Sequence, residues 1–292
     1  MQLSLFEWDL IAVGAGYQAL AELNFVEAER CFLSVLKQIP DHPQARAGQR
    51  EQRFWRNRYL EAMALATEPA AILLWQEIQS NSFGINRHHG NLRLRLLEYL
   101  HDLLVDQPRF FHPPDLCLGH LQFLLGKLSL AESNLRSLAV EQSGCARLHF
   151  LLAETLYHQG RDQLAASAYA QALLLDPEDI STLNISHLEL SICVEEFGAS
   201  LTPVYGFFRG LLPLVVPPEH LASEEARCCL LLRTIELARR NNDYQVMIDG
   251  RRELKSMAPV IFQDYLNWLE GKGEYGVPGQ RNKAPERQRS PT

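Results

Sequence analysis

Two adjacent stretches of this chain align without a gap at an offset of 34 residues. The first, residues 112–145, reads HPPDLCLGHLQFLLGKLSLAESNLRSLAVEQSGC, and the second, residues 146–179, reads ARLHFLLAETLYHQGRDQLAASAYAQALLLDPED. Gly119 falls on Ala153, Gly126 on Gly160, Ala131 on Ala165, Leu135 on Tyr169 and Leu138 on Ala172. A fixed period of this size constrains the fold more than any single motif. Each unit is too small to bury its own apolar face, so successive units must stack and share one continuous core. The pattern inside each unit is helical, with apolar residues recurring at three and four spacing. Gly119 and Ala153 sit where two helix backbones must approach closely. Gly126 and Gly160 sit where the first helix stops, the usual place for a left-handed cap.

The N-terminal stretch DLIAVGAGYQALAELNFVEAERCFLSVLKQIPDH, from Asp9, fits the same frame. Gly16 and Ala28 take the small places, Phe32 the bulky one, and Pro40 matches Pro177, neither of which can continue a helix. These three stretches resemble the tetratricopeptide (TPR) repeat, a helix pair with small residues at the crossing and a proline closing the second helix. The resemblance implies an all-α, right-handed solenoid of antiparallel helix pairs, partly degenerate. Its clearest repeats are 9–42, 112–145 and 146–179, and the whole solenoid runs over 9–270, after an N-terminal arm at 1–8. From 43 to 111 the period is lost, yet PQARAGQREQRFWRNRYLEAMAL, EPAAILLWQEIQ and GNLRLRLLEYLHDLLV still read as helices. That stretch is either degenerate repeats or an inserted helical bundle. Irregular helices follow over 180–270, with a degenerate pair ending at Pro259, and no alternating strand pattern occurs. The polar, Pro/Gly-rich segment 271–292 is expected to be disordered.

Six cysteines, none in a C-x-x-C pair, lie along amphipathic runs where thiols behave as small apolar side chains. No basic leader or cleavage site precedes the first repeat, so the chain reads as cytoplasmic. The apolar run LTPVYGFFRGLLPLVVPP carries Arg209 and internal prolines, which favours a buried helix and turn over a membrane span. Catalytic signatures are missing: no phosphate-binding glycine loop, no H-E-x-x-H, no G-x-S-x-G. His88-His89, Glu195-Glu196 and Glu224-Glu225 are sequence neighbours and so split across helix faces. His112, Cys117 and His120 could approach around one helical turn, where a zinc site is imaginable, but two partly exposed histidines and a core thiol are the plainer reading. No enzyme, no cofactor and no metal are therefore expected.

In TPR proteins the first helix of each pair lines a groove that holds peptides. Carried over, the groove places are Tyr17, then Leu116, His120 and Phe123, then Arg147, Phe150, Glu154 and Tyr157. Chaperone-adaptor TPR domains hold a C-terminal carboxylate through Lys and Asn at such places, and here only Arg147 could do so. An apolar peptide or a partner helix suits this aromatic, mixed groove better. The function expected from the resemblance is a protein-binding scaffold or adaptor. Separately, Arg46, Arg50 and Arg53 share one helical face, opposite Trp55, Tyr59 and Met63, and are candidate phosphate contacts. The net charge of −7 weighs against a general polyanion binder.

One further feature lies outside the repeats. Gln2-Leu3-Ser4-Leu5-Phe6 resembles the short motif by which bacterial replication and repair proteins bind the DNA polymerase sliding clamp. The glutamine would bond at a pocket rim while Leu5 and Phe6 fill an apolar pocket. The resemblance implies a replication or repair accessory tethered to the clamp. The other reading of Leu3, Leu5 and Phe6 is a hydrophobic lead-in packed on the first repeat, ahead of Asp9 as a helix N-cap.

Overall fold

The computed structural model describes residues 8–81, 83, 87–216 and 223–271. It divides the chain into two compact units, 1–134 and 135–292. Both are built mainly from helices, and where the joining turns are short the consecutive helices pack as antiparallel neighbours. The fold is an all-α, TPR-like solenoid of such pairs.

The first unit opens with α1 (Trp8–Ala21) and α2 (Phe25–Gln38), packed along their length. Phe32 is fully buried between two glycines: a Cβ on Gly16 of α1 would lie 2.6 Å from its ring, and one on Gly48 would lie 2.4 Å from it. The close approach read from Gly16 is therefore real, and α3 (Pro43–Met63) repeats it from the other side. α3 packs on α2 and α1, α4 (Thr67–Ser80) packs on α3, and α5 (Arg87–Leu104) packs on both α4 and α1. The stretch without a period thus continues the stacking of the first pair. Between α2 and α3, Tyr17 of α1 is buried, edge-on to Phe32 at 5.2 Å and with its hydroxyl 3.5 Å from the Gln44 carbonyl.

After α5 a short antiparallel bridge forms between β1 (Phe111–His112) and β2 (Leu116–Cys117), with Phe111 opposite Cys117. No strand was expected. The pair Pro113-Pro114 cannot enter a helix interior, so the chain turns there instead. α6 (Leu118–Leu124) follows, capped by Cys117, whose thiol accepts the His120 N–H at 3.4 Å. α7 (Leu128–Glu141) runs across the boundary between the units.

The second unit contains α8 (Ala146–His158) and α9 (Asp162–Leu175), which pack extensively along their length. The short α10 (Pro177–Ser181) lies against both. Pro177 does end α9, but it also starts α10, where its missing N–H costs nothing. Next come α11 (Leu188–Phe197), α12 (Thr202–Phe208), α13 (Glu224–Arg240), α14 (Tyr244–Met257) and α15 (Pro259–Leu269). Pro259, read as a terminator, begins this last helix in the same way. Aromatic rings cement the core here: Phe197 stacks on Tyr205 at 4.1 Å, and Phe208 and Tyr265 both meet Trp268 at 6.0 Å.

Positions equivalent in the repeat frame behave alike. Ala28, Ala131 and Ala165 are fully buried, as are Phe32, Leu135 and Tyr169. Gly126 and Gly160 adopt φ of 72° and 73°. Behind each, the next N–H reaches back to the carbonyl three residues before the cap: Lys127 to Gln122 at 2.8 Å, Arg161 to Leu156 at 3.0 Å. This is the Schellman closure of a helix end. α1, α12 and α13 end the same way, with Leu23, Gly210 and Asn242 in the left-handed place. Asp9 is a correction: α1 already begins at Trp8, and Asp9 lies in its first turn, accepting from Leu10 N at 2.9 Å. No helix among the described residues is long and apolar enough to cross a membrane.

Candidate protein-binding surface

α8 carries four of the expected groove residues, and the fold treats them differently. Phe150 and Glu154 are buried. Phe150 meets Tyr169 edge-on at 6.1 Å. Glu154 accepts the Tyr169 hydroxyl at 2.5 Å and the Ser186 N–H at 3.0 Å, so its carboxylate ties α8, α9 and the segment after α10 together. Burial, reinforced by the Glu154 charge, pushes the Tyr169 phenol far above its ordinary pKa, which keeps it a donor. Arg147 is clasped by both carboxylate oxygens of Asp179 of α10 through one guanidinium edge, Nε and Nη2, with Nε at 2.9 Å from Oδ2. The one groove cation that could have met a partner's carboxylate is thus held by a carboxylate of its own chain. Tyr157 is half-buried near the end of α8, with its ring 5.2 Å from that of His187.

The other four groove residues lie in the first unit. Leu116 is a correction, because it sits in β2 and is fully buried instead of facing outward from a helix. His120 is also buried: its Nδ1 lies 2.8 Å from the Asp115 carbonyl, and its ring meets Trp75 edge-on at 5.3 Å. That arrangement and the capping role of Cys117 give the thiol and imidazole structural work. Tyr17 is buried as described, its hydroxyl 3.5 Å from the Gln44 carbonyl. Phe123 is half-buried on α6. Leu116, His120, Phe150 and Glu154 therefore do not line an open surface. The repeat frame gave their positions along the helices but not the neighbouring segments that cover them.

Arg46, Arg50 and Arg53 of α3 are exposed, as their spacing suggested. Arg46 is engaged by Asp41 at 2.5 Å and by the Pro40 carbonyl at 2.8 Å. Arg50 and Arg53 have no ion-pair partner among the described residues. On the opposing stripe Trp55 is buried and Tyr59 half-buried, but Met63 is 61% exposed at the helix end, where the packing has run out. Gln2, Leu3, Ser4, Leu5 and Phe6 lie outside the described residues.

Sequence reasoning missed a cleft of about 580 Å³ in the second unit, lined by Asp162 and Ala166 of α9, His187 and Glu189 at the start of α11, and Leu211 and Leu212 after α12. A smaller cavity of about 220 Å³ continues it past Ile192 and Arg209. The sequence did hold a signal for this. α11 is apolar on two sides, burying Leu190 and Cys193 while leaving Leu188 69% and Ile192 47% exposed. A helix apolar beyond one stripe usually has something else to cover it.

The Tetratricopeptide repeat family pattern matches residues 146–179, which are α8, α9 and the first residues of α10. No curated protein matches the chain. Nor does any solved structure.

Proposed function

We propose that this TPR-like chain is a non-catalytic adaptor that holds a segment of a protein partner. The observation that carries the reading is the agreement between the repeat match and the extensively packed helix pair α8–α9, at whose end Tyr157 stands half-buried beside His187. A rigid scaffold presenting a partly exposed aromatic ring is an arrangement from which peptide-binding surfaces are made. Buried Phe150 and Glu154 support the scaffold, and half-buried Tyr157 is the aromatic residue of α8 offered to a partner.

The test is a photo-reactive phenylalanine analogue placed at position 157 in the full chain and irradiated in cells. Covalent adducts with one or a few discrete proteins, absent when the analogue is placed at exposed Val140, are expected. Equal labelling from both positions, or none, would remove Tyr157 from the contact surface.

A second reading rests on the five-place match of Gln2-Leu3-Ser4-Leu5-Phe6 to the clamp-binding motif. In it the same adaptor is tethered to a bacterial sliding clamp, and Arg50 and Arg53 are the residues free to meet nucleic acid. A fluorescent peptide of residues 1–10 should bind such a clamp, and Leu5→Ala with Phe6→Ala should abolish the signal. Absence of binding by the unmodified peptide at tens of micromolar would end this reading.

A further inference from the structure

We infer that the cleft between α9, α11 and the turn after α12 is a second docking surface, and that its occupant is a protein segment pairing two apolar anchors with lysine or arginine. It is lined from α9, α11 and the turn after α12, and it comes nearest the α8 residues of the repeat frame at His187, whose ring lies 5.2 Å from that of Tyr157.

The apolar half of the argument is geometric. Gly210 takes a left-handed φ of 71°, and Leu211 N returns to the Gly206 carbonyl at 2.8 Å, which folds the chain back sharply after α12. That turn sends Leu212 into the core against Gly206 and sets Leu211, half-buried, on the cleft wall. Ile192 faces the same wall from α11, with Leu188 one turn before it and more exposed still. Together they offer an apolar strip about one to two helical turns long, open to solvent.

Charge selects the occupant. Asp162 and Glu189 stand on the rim, and neither has an ion-pair partner among the described residues. The basic side chain on the wall, Arg209, is taken by Glu196 at 2.5 Å and lies over the Phe197 ring at 4.8 Å. His187 uses its Nδ1 to accept from Leu190 N at 3.3 Å, capping α11. The cleft therefore presents two carboxylates without an ion-pair partner among the described residues, each in the first turn of its helix, beside the apolar wall of Leu211 and Ile192. An acidic segment would be repelled, whereas a basic one gains both steering and burial.

A random peptide library selected on the full chain, with depletion on an Ile192→Asp/Leu211→Asp variant, tests this directly. The expected product is a family of peptides with two apolar residues beside Lys or Arg. Their affinity should fall at least about tenfold on Asp162→Lys with Glu189→Lys. Circular dichroism and thermal melting of each variant separate lost binding from lost fold. Failure to enrich any family, an acidic family, or affinity indifferent to the charge reversal would overturn the inference. Cross-linking from position 157 is read separately, so the cleft can fail while the adaptor reading stands, and the reverse.

Discussion

The hydroxyl of Tyr169 donates to Glu154 Oε1 at 2.5 Å, and that same oxygen accepts the backbone N–H of Ser186 at 3.0 Å. One buried carboxylate oxygen thus joins the two helices of the matched repeat to the segment leading into the next pair. Removing the phenol would leave a buried charge short of a donor, which costs more than a neutral bond does. Tyr169→Phe should therefore destabilise the chain by about 1.5–3 kcal/mol. A urea midpoint unchanged from the parent protein would show that the bond contributes nothing net.

A second phenol of this kind predicts a response to alkali. Tyr265 is fully buried and donates to Glu236 at 2.8 Å. Burial, helped by Glu236 and opposed by Arg251, pushes its pKa from 10.0 up to about 12. Because the folded value is raised, the unfolded chain releases the proton first. The stabilisation is complete below pH 10.0 and is lost as pH climbs toward about 12. Stability measured by urea titration should fall across that window, and Tyr265→Phe should flatten the fall even though its starting stability is lower. A parallel slope in both proteins would assign the alkaline loss to other groups.

The contact of Phe32 with two glycines makes a packing prediction. Gly16→Ala and Gly48→Ala each place a Cβ inside the Phe32 ring's space. Each should cost about 1–3 kcal/mol. Trimming the ring with Phe32→Leu in the same chain should make the double variant less unstable than the sum of its parts. Additive losses would mean that the glycines matter for reasons other than this ring.

Helix ends give a prediction of purely conformational origin. A Cβ at Gly160 would meet nothing within 4 Å, yet φ is 73°. Gly160→Ala should cost about 1–2 kcal/mol through the backbone alone. At exposed Asn242, with φ of 58°, the change runs the other way, and Asn242→Gly should be neutral or stabilising by a few tenths of a kcal/mol. Thermal melts of the two variants moving in the same direction would contradict the assignment of both positions as caps.

Much of this architecture could be read before any coordinates. Gly16, Phe32, Ala131, Tyr169, Gly126 and Gly160 were placed correctly by period alone, because backbone approach and left-handed caps admit few residue types. The helices of the stretch without a period were also legible from apolar spacing. Leu23 and Asn242 were not recognised as caps, since neither residue type announces a positive φ as glycine does. α15 was missed because Pro259 was read as an ending, and a proline ends one helix as readily as it starts the next.

Sequence alone thus determined the helix pairs, the crossing residues and the repeat frame, all of which depend on neighbours within one unit. Tertiary structure decided which faces remain open. Glu154 of α8 is covered by Tyr169 of α9 and the chain at Ser186, Phe150 meets Tyr169, and Leu116 is drawn into a bridge by the turn at Pro113-Pro114. Leu188 and Ile192, unremarkable as helical residues, are left exposed beside an acidic rim. Exposure is a property of what packs against a residue from elsewhere in the chain, so no local pattern can fix it.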